Sequence, residues 1–146
     1  YSVGMVQIIN EFRGDYRFLS NFAEHSDGKT NEHYFQAAKT TLVKECDWVL
    51  EAPNAGAAKK RGRKVTMRAD WDKVRVDVMH HYLRLKFKDP VFRAALLGTG
   101  DAILIEGNHW NDTFWGVDLT SGQGENWLGK LLMYVRTEIQ IAETRQ

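Results

Sequence analysis

Cys46 is the chain's only cysteine, which excludes an internal disulfide and a cysteine-rich zinc site and fits a reducing cytoplasm. Excess charge is also missing. Twenty Lys plus Arg stand against 19 Asp plus Glu, a net charge of +1, which argues against a nucleic-acid-coating protein and against an acidic tail, so any preference for polyanions must be local. No apolar run approaches the ~20 residues of a membrane span, and Tyr1 to Asn10 lacks the layout of a signal peptide. His25, His33, His80, His81 and His109 are scattered without the His-x-x-x-His spacing of a helical zinc site. There is no Walker A loop and no Gly-x-Gly-x-x-Gly after a strand, so nucleotide phosphates would have to be held by Arg and Lys. No repeat or composition break divides the 146 residues. These absences predict one soluble cytoplasmic domain over 1–146, with no membrane partner, metal or cofactor.

What is abundant is aromatic: five Trp, five Tyr and seven Phe, several beside Asp, Asn, Gly or Arg, a pairing suited to stacking on planar ligands as well as to an ordinary core. Thr30 to Lys39 concentrates ionisable groups on one predicted helix. Thr30 or Asn31 caps it, Glu32, Gln36 and Lys39 fall near one line, and the helix is expected to reach about Leu42. Met5 to Asn10 reads as an early strand, Glu11 to Gly14 as a turn, and Tyr16 to Phe22 as an ordered loop. Cys46 to Glu51 supports a helical turn, and Asn54 caps a helix over Ala55 to Arg61 that Gly62 ends. Lys59, Lys60, Arg61, Arg63 and Lys64 flank Gly62 as a phosphate cradle or, for at least three of them, a solvated basic face.

Asp70 is the expected N-cap of the longest helix, with Trp71, Val74, Val78, Tyr82 and Leu85 as its core stripe. Lys86 then leaves at the edge of that stripe, where partial desolvation would lower its pKa and sharpen it as a nucleophile, or where it snorkels to water. Asp89-Pro90 opens another helix that ends at Gly98 to Asp101. Ala102 to Ile105 forms a strand ending in Glu106, Asn108 to Asp118 an aromatic loop, and Trp127, Leu128, Leu131, Leu132, Val135 and Ile139 the face of a last helix. The fold class is therefore α+β, mainly helical with a few short strands.

The chemistry left by these exclusions rests on the carboxylates Glu32, Glu106 and Asp112, the lysines Lys39 and Lys86, and Trp71 and Trp115 as flat walls. Such a set suits cleavage at an anomeric carbon. Breaking a ribosyl C–N bond builds positive charge on the sugar that a carboxylate stabilises, while the departing base needs a proton or hydrogen bonds. A lysine amine attacking the anomeric carbon to form an imine is the alternative route.

Phe12-Arg13-Gly14, Phe18 to Phe22, Glu32-His33, Gln36 to Lys39, Asp70-Trp71, Met79, Lys86-Phe87, Leu97 to Asp101, Glu106, Asp112, Trp115-Gly116, Gly124, Asn126, Leu128 to Lys130 and Met133 to Arg136, in this order, resemble the NADAR or YbiA-like family over nearly the whole chain. The resemblance implies a YbiA-like fold and an N-glycosidase that either removes ADP-ribose from guanine or hydrolyses early riboflavin-pathway intermediates. By position it implies catalytic roles for Glu32 and Asp112 and a covalent or proton-transfer role for Lys86. Arg13, Asn21, Lys39, Trp71, Glu106, Trp115, Gly116 and Asn126 would bind substrate. The implied partners are a small or nucleic-acid-linked ADP-ribosyl substrate, with transient contact to DNA or RNA. Two departures, Asn31 in place of a more usual apolar residue and Val117-Asp118 after Trp115-Gly116, bear on substrate choice. Two readings of other classes stand beside this one: a non-catalytic ADP-ribose or nucleotide reader, and a nucleic-acid-binding module using Lys59 to Lys64, whose affinity would fall steeply with salt.

Overall fold

A computed structural model describes residues 5–145; the first four positions of the Tyr1 to Asn10 stretch lie outside them. Within those residues the chain forms two compact units, 20–86 and 5–19 with 87–145.

The first unit is helical, with α1 (Asn31–Ala37), α2 (Val43–Leu50), α3 (Ala55–Gly62) and α4 (Trp71–Lys86). Thr30 starts α1 with a reciprocal cap, its hydroxyl accepting from His33 N–H while His33 Nδ1 accepts from Thr30 N–H at 3.1 Å. Small residues let α1, α2 and α3 pack closely, and Ala37, Val49, Ala52 and Ala58 form the shared core. At Gly62 an added Cβ would come within 2.9 Å of Gln36 Cβ and closer still to the end of its side chain, so the C-terminus of α3 passes α1 without room for a larger residue.

Several expectations for this unit are corrected. Helix α1 stops at Ala37 rather than continuing towards Leu42, because Thr40 turns its hydroxyl to Glu45 Oε1 and to Leu42 N–H, which starts α2. Asp70 supplies its carbonyl to Lys73 N–H and Val74 N–H, but its carboxylate grips Arg68 at 2.6 Å. The buried side of α4 is Trp71, Met79, Leu83 and Lys86, and Leu85 is exposed. The core stripe is thus rotated from the predicted one, and Lys86 lies on it rather than at its edge.

The second unit contains the strands. Strand β1 (Ile8–Ile9) pairs in parallel with β2 (Ile103–Leu104), and β3 (Gly107–Asn108) pairs in parallel with β4 (Val117–Asp118). Helix α5 (Pro90–Gly98) begins at Asp89, whose carboxylate accepts from Val91 and Phe92 N–H, and packs on α6 (Trp127–Thr144). Leu128, Leu131, Leu132 and Val135 of α6 are buried, and α6 also covers β2. The buried Arg136 guanidinium donates to Thr99 Oγ1 at 2.9 Å. The predicted strands shorten to two residues each, part of the predicted Asn108 to Asp118 loop pairs as β3 and β4, and a 3-10 helix over Gly14–Leu19 replaces most of the loop expected at Tyr16 to Phe22. The expected α+β class, mainly helical with a few short strands, is present.

Candidate functional site

The predicted site residues divide between the two units. In the helical unit α1 lays Glu32 and Gln36 one turn apart, and Gln36 Nε2 donates to Glu32 Oε1 at 2.7 Å. Both are buried, so the carboxylate sits in a low-dielectric place with a neutral donor against it. Lys39, just past the end of α1, is half-buried. Burial pulls its ammonium below the ordinary lysine range, Glu32 draws it back up, and the nearby Arg63 and Lys59 push it down again. Of the five basic residues around Gly62, Lys60, Arg63 and Lys64 are exposed, whereas Arg61 donates to Trp48 O and lies over the Trp48 ring at 5.1 Å.

Trp71, at the start of α4, is buried with its ring tilted against Phe35 at 5.1 Å, so α4 carries it into contact with α1. Asn21 holds the start of α1 by accepting Glu32 N–H at its carbonyl and Asn31 Nδ2–H at its side-chain oxygen, at 3.0 and 3.1 Å.

Lys86 is the most unusual group. Only 2% of it is exposed, and its Nζ donates to Ser20 O at 2.8 Å. Burial alone pulls its pKa down to about 7, so at neutral pH a sizeable share of the amine is uncharged and nucleophilic. It lines a cavity of about 260 Å³ with His25, Asn31, Tyr34, Tyr82 and Leu85. Tyr34 stacks on Tyr82 at 5.6 Å and on His25 at 6.0 Å, and its hydroxyl donates to Asp27 at 2.5 Å. Burial, then that hydrogen bond, raises the Tyr34 hydroxyl to about 12, so it stays protonated.

In the other unit the predicted residues are held by backbone. Asn126 takes a left-handed conformation (φ 55°) ahead of α6; its Oδ1 accepts from Glu106 N–H at 2.9 Å and its Nδ2 donates to Leu104 O at 3.0 Å. Both polar atoms of Asn126 thus bind the end of β2 and fix where Glu106 begins. Gly116 lies against the same backbone, where a Cβ would meet Glu106 O at 2.1 Å. Asp112 Oδ1 accepts from Trp115 N–H at 2.9 Å and Phe114 N–H at 3.2 Å, closing the loop under Trp115, whose ring meets Phe114 edge-on at 4.9 Å. Arg13 is exposed and paired with Glu11 at 3.0 Å.

The sequence reading gives no structural role to Asn108 and does not foresee the place of Asn31. Asn108, buried, donates to Asp112 O and Val117 O and accepts from Asp112 N–H and Trp110 N–H, so one side chain shapes the whole loop. Its signal is an Asn directly after a glycine at a strand end, where a side chain can replace a ladder partner. Asn31, expected as a candidate helix cap and as a departure from the family pattern, is fully buried and lines the Lys86 cavity.

Comparison with known proteins now places the chain. The family model described as NADAR domain matches residues 9–140. The chain is similar to N-glycosidase YbiA of Escherichia coli (strain K12), at 40% identity over 136 residues, covering 87% of this chain and 84% of that protein. A riboflavin biosynthesis protein of Vibrio vulnificus is 41% identical over 114 residues, which are 76% of this chain and 30% of that protein. The NMR structure of the E. coli protein YbiA superposes with a TM-score of 0.85 at 36% identity, covering 99% of this chain and 91% of that one. With the family model spanning nearly all of a chain that folds like YbiA, the protein belongs to the NADAR domain family.

Proposed function

We propose that the protein is an N-glycosidase that hydrolyses a ribosyl C–N bond, with ADP-ribosylated guanine, free or in nucleic acid, as its first substrate and a ribosylamino intermediate of riboflavin synthesis as its second. The observation that carries this reading is the buried Lys86 amine, held by Ser20 O beside a cavity and brought to about 7 by burial. The names of the similar proteins, N-glycosidase and riboflavin biosynthesis protein, support the bond type.

In this reading the neutral Lys86 amine attacks the anomeric carbon as the bond to the base breaks. The base leaves with a proton, the ring oxygen takes another as the sugar opens to an imine, and water then releases the sugar and restores the amine. Glu32 and Asp112 are the carboxylates proposed to stabilise the positive charge on the sugar carbon and to move these protons, the work that carboxylates do in glycoside cleavage. Asn21, Lys39 and Trp71 of the helical unit, and Arg13, Glu106, Trp115, Gly116 and Asn126 of the strand-bearing unit, are the proposed binding residues.

The test is incubation with ADP-ribosylated guanine in DNA, in RNA and as the mononucleotide, beside a ribosylamino riboflavin precursor, with released base and sugar read by mass spectrometry. Release of free ADP-ribose is expected, with unmodified guanine left in the strand or mononucleotide. Release only from the precursor would transfer the assignment to the second substrate, and release from neither would overturn it. Borohydride added during turnover traps a sugar adduct on Lys86 if the imine forms; repeated failure to trap one favours direct attack by water. A protein that binds ADP-ribose but releases no base, with Glu32→Ala binding equally well, would be a reader instead.

A further inference from the structure

The cavity beside Lys86 contains a second feature that the proposed chemistry does not use. Asn31, with no exposed surface, donates through Nδ2 to Asn21 Oδ1 at 3.1 Å and touches Met79 Sδ at 3.8 Å. Those contacts orient the amide, and its Oδ1 is left without a hydrogen-bond partner among the described residues. A buried acceptor without a partner is costly, and such atoms recur where a ligand supplies the missing donor. The neighbours make the place suitable for a flat molecule: Tyr34, Tyr82 and Leu85 offer apolar and aromatic surface around it. At about 260 Å³ the space lies below the ~300–1,000 Å³ of drug-sized ligand sites, so it fits one or two fused rings and not a whole nucleotide.

We propose that this cavity seats the planar heterocyclic base of the substrate and that Asn31 Oδ1 accepts a hydrogen bond from a ring or exocyclic N–H of that base. This assignment rests on the N-glycosidase reading and adds to it the residue that reads the edge of the leaving group. Bases whose edge presents an N–H are accepted; bases with acceptors alone would set a lone pair against a lone pair and leave Asn31 unsatisfied. Asn31 is then a specificity residue, and Asn21 is its positioning residue, because the Asn21–Asn31 hydrogen bond occupies the amide nitrogen and leaves the oxygen as the acceptor still to be paired.

The experiment uses two soluble monocyclic probes with the full chain: 2-aminopyrimidin-4-one, which carries ring and exocyclic N–H, and 4-methoxypyrimidine, which has acceptors only. Affinities are measured by NMR titration, with the Tyr34 and Tyr82 ring signals reporting location. The parent protein is expected to prefer the amino probe about tenfold or more, the size of one hydrogen bond to a buried acceptor, with both tyrosines shifting. Asn31→Leu, checked by thermal melting, is expected to lose that preference to within about twofold while still binding both probes. Should Asn31→Leu fail to fold, the parent alone decides. A preference under about twofold in the parent, or shifts that avoid Tyr34 and Tyr82, overturns the proposal. A preference with shifts at both rings in a protein that hydrolyses no C–N bond upholds the base site and overturns only the activity reading.

Discussion

In the helical unit Glu32 and Asn31 are held by other side chains, Gln36 one turn along α1 against Glu32 and Asn21 of the preceding turn against Asn31, whereas in the strand-bearing unit the polar side chains bind main chain. Glu106, Asp112 and Trp115 are placed by peptide groups, and Asn108 and Asn126 act as the clamps. The helical unit also buries ionisable atoms and shifts their chemistry, as at Lys86 and Lys39. The second unit fixes geometry with hydrogen bonds to peptide groups and leaves Glu106, Asp112 and Trp115 partly open to solvent. Electrostatic tuning and geometric precision are thus separately built, and each should fail in its own way.

The largest effect should come from Lys86. Its folded value of about 7 lies below its ordinary 10.5, so between those values the unfolded chain binds the additional proton. Stability therefore rises as pH climbs from about 7 towards 10.5, and the burial penalty is fully present below about 7. Lys86→Met should be more stable than the parent at neutral pH, on the order of a few kcal/mol, should lose that pH slope, and should lose turnover. Melting curves from pH 6 to 10 that run parallel for the two proteins would break the electrostatic half of the contrast.

Next come Glu32→Gln and Asp112→Asn, each expected to cut turnover by more than ~100-fold, the scale of one strong transition-state contact. Asn at 112 still offers an oxygen to Phe114 and Trp115 N–H, so that loss would reflect charge and not loop collapse; unchanged turnover in both variants would remove them from the mechanism.

Gly116→Ala probes the geometric half, because its Cβ would collide with Glu106 O, and it should destabilise by about 1–3 kcal/mol with no change in pH slope, as read by denaturant melts. Thr30→Ala removes one side of the α1 cap and should cost about 1 kcal/mol. Smallest of all, Arg13→Ala breaks an exposed pair and should leave stability within about 0.5 kcal/mol; a rise in KM without a stability change would place Arg13 on the substrate.

The same contrast explains what could be read from the chain. Helix starts are legible because capping is local: Thr30, Asn54 and Asp89 all accept the expected N–H groups. The Glu32–Gln36 line follows from helical period alone. Longer-range facts are not legible in this way. The rotation of the α4 stripe depends on which neighbours Met79 and Leu83 meet, and the burial of Lys86 depends on Ser20 presenting a carbonyl across 66 positions of sequence. In the strand-bearing unit, two-residue strands carry too little alternation to announce themselves, and Asn108 acts on a loop whose shape exists only after folding. The Asn31 oxygen is similarly silent in sequence, since its state depends on what Asn21 takes from the other end of the amide.

The cap on α1 has one more consequence. Because Thr30 N–H can only donate and Ala52 O can only accept, His33 must keep a bare Nδ1 and a protonated Nε2, the latter donating to Ala52 O at 2.9 Å. The imidazole beside Glu32 is therefore a strut locked in one tautomer. Both of its ring nitrogens are taken up in tying the start of α1 to the Ala52 carbonyl.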